Sequence, residues 1–140
     1  MFGKDKVVSR NESFINNYRL DFIKTERGAS VRLKNGKYEC SNIENYYNIS
    51  VESCVRDDKQ AYYGGIITVN SGGTGSFFYL VLFHKEISIA HKFLGDRVKI
   101  KDIYFLAGKL ETKYFIHTTE QAMSDIPKQL TTATINIKTN

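Results

Sequence analysis

The sequence predicts a mainly β protein: one antiparallel sheet domain, organised as a meander, barrel or sandwich, with at most one or two short helical turns. Short segments with a two-residue apolar alternation recur along the chain, separated by turn residues. Asn35 and Gly36 form the strongest short hairpin signal among them. Nine Tyr and nine Phe beside a single Pro also suit a strand-rich chain. No strand–helix alternation suggests a parallel α/β sheet.

The central element of this prediction is residues 77–83, an unbroken apolar and aromatic run. Because side chains alternate faces along a strand, its odd-numbered and even-numbered residues point in opposite directions, and both sets require cover. The glycine-rich residues 71–75 supply a reversal, and residues 66–69 are the natural hairpin partner. A phosphate-binding loop would need a Lys-Ser/Thr pair and a following helix, which this segment lacks. We therefore interpret the glycines as a hairpin connection.

The other elements follow in chain order. Residues 1–17 are predicted to be a tether, with a short helical turn capped by Asn11, and residues 18–140 the single β-rich domain. Gly95 and Asp96 are predicted to form a turn, a bulge is expected near Asp102, and residues 118–129 are the one long irregular segment. The predicted strands occupy residues 18–22, 31–34, 37–40, 47–55, 66–69, 77–83, 87–93, 98–106, 110–116 and 135–137.

The net charge of +5 is spread along the chain and indicates a solvated basic surface, with an acidic partner or a polyanion as the alternative. No basic cluster or nucleic-acid motif favours a nucleic-acid partner. No apolar run approaches the roughly 18 residues of a membrane-spanning helix. The first six residues are charged and lack the apolar core of a signal peptide, which fits either a cytosolic protein or a mature region whose leader was removed.

Cys40 and Cys54 leave two alternatives open. Their separation does not resemble a pair of metal ligands, and no further Cys completes a site, so neither a metal nor a cofactor is predicted. In an oxidising compartment the two could form a disulfide, whereas in the cytosol they would be two buried thiols.

Three stretches carry a family resemblance: the Val31-x-Leu33-x-Asn35-Gly36-x-Tyr38 pattern, residues 72–80 and the Leu-Gly-Asp-Arg-Val-Lys-Ile-Lys run at residues 94–101. In order and spacing they resemble a set of small bacterial extracytoplasmic or lipoprotein domains of unknown function, over roughly residues 18–138. The resemblance implies an exported protein, periplasmic or facing the outside, whose leader or lipid anchor precedes the domain. It implies no activity. The calcium-like loop and the Asp-Pro pair of that family are replaced here, by residues 56–61 and by Gln121 and Ala122.

A structural role accounts for each candidate catalytic residue at least as well as a catalytic one. His84 and His91 lie on strands that could be neighbours, but the sequence offers no third ligand. Cys54 with a His would be a minimal nucleophile pair without local support. Asp57 and Asp58 read as a solvated turn rather than an acid–base pair. Asp96 and Arg97 suggest an ion pair at a turn.

The tyrosine pairs Tyr46-Tyr47 and Tyr62-Tyr63 are the predicted interaction surface, since strand alternation exposes one member of each pair. We therefore expect a protein without enzymatic activity that binds another protein of the cell envelope, as an assembly component, an inhibitor or an immunity-type protein. A carbohydrate- or peptidoglycan-binding module is the alternative. The second alternative is a small hydrolase that uses His117 and the 118–129 loop.

Overall fold

The computed structural model describes residues 15, 17–24, 30–41, 46–57, 61–70, 75–122 and 125–137. It confirms the predicted fold class: the described chain is nearly all strand, with one nearly closed, barrel-like sheet and a second small sheet. The ten strands are β1 (Arg19–Lys24), β2 (Ser30–Arg32), β3 (Lys37–Ser41), β4 (Tyr46–Asp57), β5 (Tyr62–Asn70), β6 (Phe77–His84), β7 (Ile87–Asp96), β8 (Lys99–Leu106), β9 (Lys109–Ile116) and β10 (Gln129–Asn136). Within the described part of the chain, no helix has the length and apolar character needed to cross a bilayer.

The larger sheet has the strand order β2-β1-β7-β6-β5-β4-β3, so its two edge strands are neighbours in sequence. The predicted turn at Asn35 and Gly36 joins them, with the positive φ angles of 53° and 79° that a type I′ turn requires. A bridge between Lys34 and Lys37 closes the turn, and Val51 N–H donates to the Gly36 carbonyl at 3.0 Å. This short connection brings the two edges together and curls the sheet into its barrel-like form.

Strand β6 is covered on both faces, as the sequence predicted. Val81 and Phe83 point into the barrel, where they pack with Leu20, Ile49 and Ile67. Leu80 and Leu82 point outward into a second apolar cluster that includes residues of the smaller sheet. The smaller sheet, β10-β9-β8, therefore lies over the outer face of the barrel and completes its cover.

The predicted turn at Gly95 and Asp96 is wrong, because β7 continues through both residues and the chain turns at Arg97. The Asp96 carboxylate accepts a hydrogen bond from Ser76 N–H at 2.8 Å, and Arg97 N–H donates to the Ser76 carbonyl at 2.7 Å. The predicted ion pair is present, with Arg97 Nη2 3.2 Å from Asp96 Oδ2. These contacts fix the start of β6 against the place where the chain leaves the barrel for the smaller sheet.

Strand β7 also departs from strict alternation. Its pairing with β6 shifts between Leu82 and Phe83, which leaves Ile89 as the extra residue of a bulge. Ile89 therefore lies in an outer pocket with Tyr62 and Leu82, whereas a regular two-residue alternation would place it on one face with His91 and Phe93. The bulge predicted near Asp102 is found, because the β8–β9 register shifts between Ile100 and Asp102.

The core begins earlier in the chain than predicted. Ile15 is fully buried inside the barrel, and its carbonyl accepts a hydrogen bond from Tyr18 N–H at 3.1 Å. Of the tether predicted for residues 1–17, positions 1–14 and 16, including the predicted helix cap Asn11, lie outside the described residues. At the other end, β10 spans Gln129–Asn136 and is longer than the predicted segment 135–137.

Candidate recognition surface

The shortest strand pairing of the larger sheet is where β1 meets β7, because the two strands share a single parallel pairing, Arg19 opposite Ile87. After that position, the contacts between β1 and β7 described next are made by side chains and not by paired backbone groups. Asp21 N–H donates to Ser88 Oγ at 2.7 Å instead of to a backbone carbonyl. Phe22 then stacks on His91, with ring centroids 4.1 Å apart and planes 12° from parallel. Besides the backbone contact at Arg19, whose N–H donates to the Glu86 carbonyl at 2.9 Å, this hydrogen bond and this ring stack join the two strands.

The stack continues into a row of aromatic side chains across β1, β6 and β7, which we call the aromatic seam: Phe22, Phe77, Tyr79, His91 and Phe93. The Tyr79 ring lies 5.3 Å from Phe22 and 5.3 Å from Phe93, tilted by 51° and 53°. Phe77 meets Phe93 at 6.2 Å. These spacings fall in the range of favourable aromatic contacts, so the rings support one another as one continuous surface.

The aromatic seam is open to solvent on β7. Phe93 is 55 % exposed, and His91 is also exposed, whereas Phe22, Phe77 and Tyr79 are half-buried. Ion pairs flank the two ends: Arg19 with Asp21 at 2.8 Å on β1, and the Asp96–Arg97 pair beside Phe77. An aromatic centre with a charged rim is the composition typical of protein-binding surfaces.

The predicted tyrosine surface takes a different form. Tyr62 and Tyr63 lie on opposite faces of β5 as expected, but both are half-buried. Tyr62 stacks on His84 at 4.5 Å, and Tyr63 meets Tyr18 edge-on at 5.5 Å inside the barrel. The side chains of Tyr46 and Tyr47 lie outside the described residues. In the described pair, the rings face other side chains of the same chain.

The buried positions of Tyr18 and Tyr104 raise the pKa of both phenols. Burial, followed by its neighbour Tyr63, raises the pKa of Tyr18 to about 12. On the smaller sheet, burial and then the hydrogen bond to Glu111 raise the pKa of Tyr104 to about 12. The Tyr104 hydroxyl donates to Glu111 Oε2 at 2.8 Å. Both phenols therefore stay neutral, as hydrogen-bonding parts of the fold, well into alkaline solution.

The β3–β4 register separates the two cysteines. Cys40 lies opposite Tyr47, and Cys54 lies seven residues farther along β4. At about 3.3 Å per residue this is roughly 20 Å, whereas disulfide-bonded residues have Cα atoms less than about 7 Å apart. Cys54 is buried in the barrel interior, and the side chain of Cys40 is outside the described residues. Of the two alternatives for Cys40 and Cys54, the register thus disfavours the disulfide.

The histidines are dispersed as well. His84 packs against Tyr62 on the outer side of β6, whereas His91 lies opposite Val81, which points into the barrel. The fold therefore does not bring His84 and His91 into one site. Asp57 ends β4, and its predicted partner Asp58 lies outside the described residues. Across the described ranges, no cluster of three or more His, Cys, Asp or Glu residues could hold a metal ion.

His117 is held by the loop that follows it. Its Nε2 is 2.7 Å from the Asp125 carbonyl, and Gln121 Nε2 donates to the Ile126 carbonyl at 2.7 Å. A cleft of about 240 Å³ adjoins His117 and Asp96. The Asp96 carboxylate in this cleft is already bound by Ser76 N–H and by Arg97. His117 Nε2 and the Asp96 carboxylate thus each contact the backbone of another segment of the chain.

Sequence reasoning missed the aromatic seam, although Phe22, Tyr79 and Phe93 stand out as apolar strand residues. In strands with regular alternation such aromatic residues are ordinarily buried, so nothing marks these three as a surface. The one local signal was that His91 and Phe93 share a face with each other, which does not identify β1 as a neighbour of β7.

Comparison with protein-family models, with curated proteins and with solved structures gives no significant match. The resemblance to small bacterial exported domains therefore stays a prediction. The aromatic seam is the feature of the described fold that most closely fits a binding role.

Proposed function

We propose that this protein is a non-catalytic binding module that recognises another protein through the aromatic seam. The observation that carries the proposal is the exposure of Phe93 at the centre of a row of packed rings. Contiguous exposed apolar surface in a soluble domain marks an interaction site more often than chance. An aromatic anchor that is already supported by its neighbours also loses little conformational freedom on binding.

The ring geometry favours a protein over a glycan as the ligand. Sugars bind on the open flat faces of aromatic rings, but Phe22 and His91 each have one face covered by the other, with the planes at 12°. Tyr79 and Phe93 are tilted by 53°, so the row forms an uneven surface with a protruding ring rather than a flat platform. Such a surface suits insertion of apolar side chains from a partner protein.

The engagements of the three histidines support the non-catalytic part of the proposal. His84 is stacked on Tyr62, His91 on Phe22, and His117 is bound to the Asp125 carbonyl. Each ring has a structural contact that accounts for its position. An extracytoplasmic location, with a cell-envelope partner, remains part of the proposal and derives from the sequence resemblance.

The test is a pull-down from cell-envelope extract with the wild-type chain, F93A and I89A. Ile89 is a matched control because it is 53 % exposed, lies on β7 and points away from the aromatic seam. We expect a partner that I89A retains and F93A loses, with an affinity lowered about 30-fold, as for loss of a central aromatic anchor. Identical partners for both variants would contradict the proposed surface. Retention on a glycan array that F93A abolishes would favour the carbohydrate alternative.

A further inference from the structure

A second interaction surface lies on the smaller sheet, at the free edge of β10. In the sheet order β10-β9-β8, no described strand pairs with the outer side of β10. Ile137 N–H donates to the Gly108 carbonyl at 3.0 Å, which assigns the backbone groups of odd-numbered residues to the β9 ladder. The even-numbered residues therefore direct their N–H and C=O groups outward. Lys92 Nζ, which approaches from outside the sheet, donates to the Thr134 carbonyl at 3.3 Å, in agreement with this assignment.

The sequence of β10 itself lacks the usual protection of an edge strand, although Lys92 contacts the edge at Thr134. Natural edge strands carry charges or prolines that prevent pairing with another chain, whereas β10 reads Gln-Leu-Thr-Thr-Ala-Thr-Ile-Asn and has neither. Leu130, Thr132 and Asn136 are all exposed. Ile126, at 70 %, and Leu130, at 48 %, add two exposed apolar side chains at the start of the strand. The edge thus offers both backbone hydrogen-bonding groups and an apolar contact.

We infer that the β10 edge binds an extended, acidic segment of another protein by adding it as a further strand. Main-chain hydrogen bonds would come from the outward groups of Leu130, Thr132 and Asn136, since the Thr134 carbonyl already accepts a hydrogen bond from Lys92. The lysines near the edge favour a binding partner that carries acidic side chains. Lys109 and Lys113 lie opposite Asn136 and Thr132 on β9, Lys128 precedes the strand, and Lys92 reaches Thr134. Three acids lie near these four lysines. Glu111, between the β9 lysines, already accepts hydrogen bonds from Tyr104 and Thr134. Asp102 lies opposite Lys113 on β8, and Asp125 precedes Lys128, so the lysines outnumber the acids by one.

This surplus of cations disfavours a second copy of the chain as the occupant. Two β10 edges paired about a two-fold axis would bring the same lysines toward one another, and like charges across an interface are unfavourable. An acidic strand instead gains attraction that weakens with salt. The surface is separate from the aromatic seam, which lies on the barrel.

The probes are two fluorescent octapeptides, one alternating Val and Glu and the other alternating Val and Lys, with binding followed by anisotropy. The decisive variant is T132P, because proline removes an outward N–H without removing a bond to β9. T132A keeps the N–H and is its matched control. We expect the Glu peptide to bind wild type and T132A at least tenfold more tightly than the Lys peptide, and T132P to lose at least tenfold in affinity.

A Glu peptide with alternate amides N-methylated provides a test that does not depend on the folding of T132P, and we expect it to bind at least tenfold more weakly. Equal binding of the methylated and unmethylated peptides, or no binding of either Val-containing peptide, would overturn the inference. Analytical ultracentrifugation of the protein without peptide tests whether a second copy of the chain occupies the edge. A concentration-dependent dimer that T132P abolishes and T132A keeps would replace the acidic partner with a second copy.

Discussion

Ile15 fills the space that a side chain at Gly65 would need: a Cβ built on Gly65 would lie 2.5 Å from Ile15 Cδ1. Gly65 is in the middle of β5, where glycine ordinarily weakens a strand because it has no side chain to pack. Here the absence of a side chain at Gly65 leaves the space in which Ile15, a residue that precedes β1, packs inside the barrel. The adjacent Gly64 does the same on the outer face, where Leu110 of the smaller sheet occupies the space. The two glycines thus allow close packing on both faces of β5, with Ile15 inside the barrel and Leu110 outside it.

We expect G65A to destabilise the fold by about 1–3 kcal/mol, because the added methyl group overpacks against Ile15. Ile15→Val removes the contacting Cδ1 and should itself cost about 1 kcal/mol. The double variant should cost less than the sum of the two, as measured by urea unfolding. Strict additivity would show that Ile15 does not contact this position.

The β6–β7 turn should be open to stabilisation. Lys85 and Glu86 adopt φ angles of 54° and 68°, a conformation in which Asn and Gly are strongly preferred. The double substitution K85N/E86G should raise the free energy of unfolding by about 1 kcal/mol, since it removes the strain of two left-handed non-glycine residues. K85A leaves that strain in place and should give no gain. A loss of stability in K85N/E86G would contradict the turn geometry, and thermal unfolding by circular dichroism measures all three chains.

The Asp96 carboxylate should matter more than the ion pair it forms. D96A removes the acceptor of Ser76 N–H and should cost about 2 kcal/mol, because a partly buried donor loses its partner. R97A removes the partly exposed ion pair and should cost less than about 1 kcal/mol. Urea unfolding compares the two. Equal costs would show that the ion pair, and not the bond to the β6 backbone, holds this junction.

Tyr18 and Tyr104 should make the fold sensitive to alkali. Their pKa values are raised from 10.0 to about 12 in the folded chain, so the folded state binds these protons more tightly than the unfolded state. Their contribution to stability is therefore complete below pH 10 and is lost as the pH rises from 10 towards 12. Absorbance at 295 nm should show tyrosinate forming near pH 12 in the wild type. That component should shrink in Y18F and in Y104F, and a titration that is unchanged in both variants would contradict the assignment.

Local patterns in the sequence identify much of this fold. The apolar run at residues 77–83 must be covered on both faces, and β6 is; Asn35 and Gly36 specify a type I′ turn, and they form one. The errors occur where an element depends on a distant neighbour. Asp96 reads as a turn residue, yet it stays in β7 because its carboxylate binds Ser76, twenty residues away in sequence.

The aromatic seam, too, depends on neighbours that are distant in sequence. Phe22 reaches His91 because β1 lies parallel to β7 and because the bulge at Ile89 brings the two rings into register. No short sequence pattern predicts that β1 pairs with β7 or that this pairing ends after one position. Tyr62 and Tyr63 were predicted to be a surface because alternation exposes one of them, but the smaller sheet and the barrel interior take up one ring each.

The sequence by itself determined the strand-rich architecture, the hairpins and the central position of β6, because hydrophobic periodicity and turn chemistry act between residues that are close along the chain. The tertiary structure decided where the barrel stays open, which rings line that opening and which strand edge remains unpaired. Those outcomes depend on contacts between strands far apart in sequence, whose register is set by packing and bulges and not by any local preference.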